Sequence, residues 1–197
     1  MKQSVKALYG CLIILSVHSS SAQGLRLCGH FGFSSYGAVA LGGLGTGGGS
    51  DQEWKRGWIV GIGVQVPQSE HFSLNGLLEF SSHEFQSTSG SPIPVNDPRN
   101  SILELSWIGK FRISIVDPVA LSLFPGISVY YQHKDERVYS NPGIHSQEES
   151  RFGVAGVIGA GLSLRCSEKV DVYVDGSWRM RAYVTPVVVL GIAYDIN

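Results

Sequence analysis

Eight stretches of the chain alternate large apolar residues with small or polar ones at a period of two. A β-strand sends successive side chains to opposite faces, so this period specifies strands that each have one apolar face. The first stretch covers about 25–41, with Leu27, Phe31, Phe33 and Val39 on the apolar face. In the second, Trp58, Val60, Ile62, Val64 and Val66 oppose Gly57, Ile59, Gly61, Gly63 and Gln65. The third and fourth set Phe72, Leu74, Leu78, Phe80, Leu103, Leu105, Trp107, Phe111 and Ile113 against Ser73, Asn75, Glu79, Ser81, Glu104, Ser106, Lys110 and Arg112. In the fifth, Val119, Leu121, Leu123, Ile127, Val129 and Tyr131 alternate with Ala120, Ser122, Gly126, Ser128 and Gln132. The sixth places Phe152, Val154, Ile158, Leu162 and Leu164 against Arg151, Gly153, Ala155, Gly159, Gly161 and Arg165. The seventh opposes Val170, Val172, Val174, Trp178 and Met180 to Asp171, Tyr173, Asp175, Ser177 and Arg179. The eighth opposes Val188, Leu190, Ile192, Tyr194 and Ile196 to Val187, Val189, Gly191, Ala193 and Asp195. No stretch carries a helical period, so the fold class is all-β.

The connections alternate too. Short turns are expected at 67–71, 116–118 and 167–169, and longer polar segments at 42–53, 86–100 and 133–149, with a smaller one at 182–186. Strict alternation puts all the long connections at one end of an up-and-down antiparallel sheet. Eight strands of this kind close into a barrel, which removes both sheet edges.

The N-terminus reads as an export signal. Lys2 and Lys6 form a positive start, Leu8 to Val17 a short apolar core, and Ser20-Ser21-Ala22 a small-residue cleavage site. The expected organisation is a cleaved signal at 1–22 and one domain at 23–197. The apolar core is shorter than the roughly 20 residues a spanning helix needs. Cys28 and Cys166 then remain, on strands that are not neighbours, and are expected to be separate thiols rather than a bridge. The whole chain is close to neutral, at −1, which with no basic cluster argues against a nucleic-acid partner.

Which face of such a barrel points inward decides its class. A soluble barrel of the lipocalin kind turns its apolar face inward and binds an apolar ligand there. Here the polar face is crowded with Gly, Ala and Ser, and carries Glu79, Glu104, Lys110, Arg112, Arg151, Asp171, Asp175 and Arg179. Glycine weakens a strand, and a water-facing surface has no use for so much of it. The cramped interior of a narrow barrel does, and opposite charges can pair across it. The apolar face in turn carries Trp58, Tyr131, Phe152 and Trp178 toward the long connections and Phe72, Phe111 and Tyr194 toward the short turns. That is the pattern of two aromatic girdles at membrane interfaces. The expectation is an eight-stranded antiparallel up-and-down transmembrane β-barrel, apolar outside.

With these features the chain resembles the small eight-stranded outer-membrane barrels of the OmpA/OmpX-like, porin-family group over the whole of 23–197. The last strand is similar to that group's assembly signal: Gly191, an aromatic three residues on at Tyr194, and an apolar Ile196. The chain ends in Asn197 where a terminal Phe is frequent. The resemblance implies residence in the outer membrane of a Gram-negative-type cell, with membrane lipid and lipopolysaccharide as surroundings. It also implies insertion by the barrel assembly machinery through the last strand. For function it implies envelope structure, adhesion or contact with a host or surface partner through the long loops, without catalysis.

Other chemistry finds little support. Gly43-Leu44-Gly45-Thr46-Gly47-Gly48 has dinucleotide-loop spacing, but Ser50-Asp51-Gln52-Glu53-Trp54 and then a strand follow it, not a helix. No cofactor is expected. His30, His71, His83, His133 and His145 make no recognised metal spacing. The 133–149 segment, with His133, His145, Asp135, Glu136, Glu148 and Glu149, reads as a solvated charged loop. Val138-Tyr139-Ser140-Asn141-Pro142-Gly143-Ile144 is faintly similar to the motif of barrels that deacylate lipid A. Val138 stands where that motif has its histidine base, so a lipid A-modifying hydrolase is the alternative and not the expectation. No catalytic or metal-binding residue is assigned.

Overall fold

The structure is a computed structural model that describes residues 24–36, 55–84, 99–140, 143–181 and 184–196. Eight strands run in order: β1 (Arg26–Tyr36), β2 (Lys55–Pro67), β3 (Phe72–Glu84), β4 (Arg99–Val116), β5 (Val119–Ser140), β6 (Gly143–Arg165), β7 (Val170–Met180) and β8 (Val184–Asp195). Each pairs antiparallel with its sequence neighbours, and β8 closes on β1 from Arg26↔Asp195 to Ser34↔Val187. The expected signal at 1–22 and the glycine-rich segment at 42–53 lie outside the described residues.

The apolar face is on the outside. Phe31, Phe33, Ile62, Leu78, Leu103, Ile127, Val154, Leu162, Trp178, Leu190 and Ile192 are exposed, while Glu79, Ser81, Glu104, Ser106, Ser122, Ser128 and Arg179 are buried. A soluble lipocalin-like barrel is contradicted by this polarity. Aromatic pairs mark both rims: Trp58–Phe80 and Tyr131–Phe152, with ring centroids 5.4 and 4.8 Å apart, toward one end, and Phe72–Phe111, at 4.9 Å, toward the other.

Small residues line the lumen because large ones cross it. A Cβ on Gly61 would run into the His30 imidazole, and one on Gly191 into the Tyr173 ring. The glycines of the inner face are thus the complement of a few bulky inward side chains.

The rim with the long connections differs from expectation in several places. The 133–149 segment is not a loop: β5 and β6 pair without a break from Gln132↔Arg151 out to Ser140↔Gly143. Period two had faded there only because neither face remains apolar once the strands leave the apolar band. The backbone ladder satisfies its own hydrogen bonds without it. Arg151 was expected inside the barrel, yet it is exposed and paired with Glu149 on its own strand (Nη2–Oε1 2.5 Å), because it sits above the band. Arg99 and Asn100 belong to β4, and β8 starts at Val184, so the connections at 86–100 and 182–186 are shorter than the composition suggests. Pro186 is tolerated in β8 because it pairs with Trp178 of β7 beyond the last β1–β8 pair, where its missing N–H breaks no second ladder.

Candidate functional site

The lumen holds three tiers of charge, and β7 supplies a member of each: Arg179, Asp175 and Asp171. They lie at intervals of four along one strand, so all three face inward. In an eight-stranded ring, β3 stands diametrically opposite β7 and β4 nearly so. Side chains from these strands therefore meet across the bore.

In the tier nearest the long connections, Arg179 Nη2 donates to Glu79 Oε1 at 2.8 Å, and Nη1 donates to Glu104 Oε1 at 3.0 Å and Ser106 Oγ at 2.9 Å. Arg181 pairs with the other oxygen of Glu104 and lies over the Tyr130 ring. His30 Nε2 lies 3.1 Å from Glu79 Oε1, and Ser106 Oγ donates to Glu79 Oε2 at 3.2 Å. Above this, His83 meets Ser34 Oγ at 2.6 Å and Gln132 Nε2 donates to Asn100 Oδ1 at 3.0 Å. Two arginines facing two carboxylates, all buried, make a compensated plug. A buried charge without a partner would cost several kcal/mol, so the four stand or fall together.

The middle tier is Lys110 on Asp175, Nζ to Oδ2 2.9 Å, with the ammonium over the Tyr173 and Phe124 rings at 4.9 and 5.5 Å. Cys28 is buried beside it, and Cys28 and Cys166 are separate free thiols. Between these two tiers the free space is only about 40 Å³.

The third tier, at the short-turn end, is open. A cavity of about 520 Å³ is lined by Arg26, Arg112, Arg165, Asp171 and Asp195, among others. Arg26 Nη1 donates to Asp171 Oδ2 at 2.7 Å, Arg112 Nη1 donates to the same oxygen at 3.2 Å, and Arg165 Nε lies 3.6 Å from Oδ1.

Most of these groups follow from the alternation: Glu79, Glu104, Lys110, Arg112, Asp171, Asp175 and Arg179 were all assigned inward, and inward they are. The histidines were read for metal spacing and passed over as lumen residues. His30 shares a face with Cys28 and Ser34, and His83 with Glu79 and Ser81, so the same period contained the signal. Arg181 sits where the pattern stops and had none. Ser140 and His145 lie in the β5–β6 extension, where the side chains are outside the described residues. Among the described residues no group of three or more His, Cys, Asp or Glu is placed to hold a metal.

No protein-family model matches the sequence, and a search of curated proteins returns no match. Solved structures do match. Neisserial surface protein A superposes with a TM-score of 0.58 at 10% identity, over 90% of this chain and 100% of that one. This chain has the fold of a small outer-membrane β-barrel. Ail, the attachment invasion locus protein of Yersinia pestis, solved in complex with the heparin analogue sucrose octasulfate, gives 0.51 at 14% identity over 88% and 97%. At such identities the likeness is one of architecture, and it agrees with the outward apolar face and the aromatic rims.

Proposed function

We propose that the chain is a non-enzymatic outer-membrane protein that meets a partner at the cell surface through the β5–β6 arm. The observation that carries this reading is the arm itself, a paired hairpin that runs on from Gln132↔Arg151 to Ser140↔Gly143 above the Tyr131–Phe152 aromatic pair. Strands that only had to cross a bilayer need about 9–11 residues, whereas β5 has 22 and β6 has 23. The lumen at this end is filled by the arginine–glutamate plug, which among the described residues leaves the projecting strands available to a large partner. Export by a cleaved signal at 1–22, insertion by the barrel assembly machinery through β8, and lipopolysaccharide as neighbour belong to the same reading.

The arm's charge narrows the partner. Lys134 and Arg137 stand against Asp135, Glu136, Glu148 and Glu149, so a polysulfated ligand of the kind bound to Ail is disfavoured. A protein surface of mixed or basic character suits it better.

The test is to replace 134–149 with a two-residue turn and express both forms in a Gram-negative host. Both should fractionate with the outer membrane and change gel mobility on boiling, since the barrel ladder is intact. Only the full-length form should confer binding to host cells or surfaces. Equal binding by the shortened form would overturn the assignment of function to the arm.

A further inference from the structure

The cavity at the short-turn end is not accounted for by a surface role, because it opens at the opposite pole of the barrel from the arm. Four of its strands bring charged side chains to one spot on the wall: Arg26 from β1, Arg112 from β4, Arg165 from β6 and Asp171 from β7. Three guanidinium groups converge on the one carboxylate of Asp171, which is buried. A carboxylate offers two oxygens, and each guanidinium carries five N–H donors. Asp171 therefore compensates one of the three arginines in charge and a small part of their donors.

Arg26 is the most closely ion-paired, with Asp171 Oδ2 at 2.7 Å from its Nη1 and Asp195 Oδ2 at 3.5 Å from its Nε. Arg112 and Arg165 hold Asp171 only by an edge, at 3.2 and 3.6 Å, and their side chains, which line the cavity, remain 24% and 48% exposed. Lys110, deeper in the wall, is committed to Asp175. Glu70 and Asp117 also line the cavity, but they belong to the turns at its mouth. The wall thus presents two forked cations on either side of one already shared carboxylate, in a pocket of about 520 Å³, a size in the usual range for small-ligand sites.

We infer that this vestibule binds a phosphate-bearing anion, held by the guanidinium edges of Arg112 and Arg165 that Asp171 leaves unused. Guanidinium forks match phosphate and carboxylate oxygens in pairs. A phosphate is preferred to a monocarboxylate because its tetrahedral oxygens can accept from both guanidinium edges at once, where a planar carboxylate meets one fork. The phosphate can arrive on a soluble molecule or on a lipid headgroup at the inner interface; the recognising chemistry is the same.

The experiment follows the side-chain Nε–H resonances of Arg112 and Arg165 by NMR in the refolded full barrel, in phosphatidylcholine nanodiscs. Titration with inorganic phosphate should shift both resonances saturably, and acetate at the same ionic strength should shift them at least tenfold less efficiently. Replacing part of the phosphatidylcholine with phosphatidylglycerol distinguishes the source: shifts seen only then identify the lipid headgroup, and shifts with soluble phosphate alone identify a soluble ligand. Followed instead by the phosphorus resonance of the added phosphate, Arg112→Gln with Arg165→Gln should abolish binding, whereas Arg151→Gln, at the other end, should leave it unchanged. Boiling-dependent gel mobility checks that each variant is folded; should the double variant not fold, Arg165→Gln alone, at the more exposed site, should weaken phosphate binding at least threefold. No saturable shift with either phosphate source, or acetate equal to phosphate, overturns the inference.

Discussion

Arg179 shows what a single residue does in this bore. It joins Glu79 on β3 and Glu104 on β4 to β7, and with Glu79 it spans the full diameter. Without it Glu79 loses its arginine and Glu104 one of its two, and Arg181, whose ion pair is with Glu104, does not replace it at Glu79. Breaking a buried pair in this way costs about 3–5 kcal/mol. Arg179→Met is therefore expected to lower the unfolding free energy in urea titrations of vesicle-inserted protein by about that amount. Adding Glu79→Gln to Arg179→Met should recover part of the loss, since it removes one of the stranded charges. A second change that deepened the loss would mean that Arg179 acts through packing. Apart from Arg181, the charges of this tier were legible from period two alone, because each occupies the small-residue face of its strand. The partners were not legible, since which inward charges meet depends on ring closure and on the height of each residue in the bore. Glu79 and Arg179 are 100 residues apart in sequence.

At the level of the strand, the alternation was sufficient wherever both faces have distinct surroundings. β7 and β8 illustrate this: each apolar position from Val174 to Met180 and from Val188 to Ile192 is exposed, and the intervening Ser177, Arg179, Val189 and Gly191 are buried. The register cannot slip by one without turning charges toward lipid. Leu190 makes a sharp test, because it faces outward between Phe31 and Val174, well inside the span of β8. An arginine on the lipid face near the bilayer midplane costs about 2–4 kcal/mol and little at the interfaces. Leu190→Arg should show a loss of that order in vesicle unfolding, and Ile196→Arg, at the strand's end, less than about 1 kcal/mol. Equal penalties would mean that the apolar band is misplaced along the strands. The same reasoning explains the misreading of 133–149. Above the band the sequence no longer alternates apolar with polar residues, the pattern has nothing to record, and a strand held by its backbone ladder looks like a loop.

At the scale of the whole molecule, closure and filling are separate questions. Strand count and loop alternation specify a closed ring, while the contents of the ring decide what passes through. An eight-stranded bore is narrow enough for side chains to fill, and here Glu79, Glu104, Arg179 and Arg181 fill it near one end and Lys110 with Asp175 in the middle. Free volume falls from about 520 Å³ in the short-turn vestibule to about 40 Å³ beside the plug. A vestibule backed by such a plug is expected to be a dead end for solutes and not the mouth of a diffusion pore. Proteoliposomes carrying the barrel should consequently resist swelling in isosmotic arabinose or sucrose, while a larger porin reconstituted alongside swells freely. The plug is held by charge pairs buried in a low-dielectric bore, where salt screens them weakly, so raising the salt concentration should not open it. Rapid sugar entry into liposomes whose barrel is folded, as judged by its mobility on an unheated gel, would show that the three tiers do not seal the lumen and would make transport the primary reading.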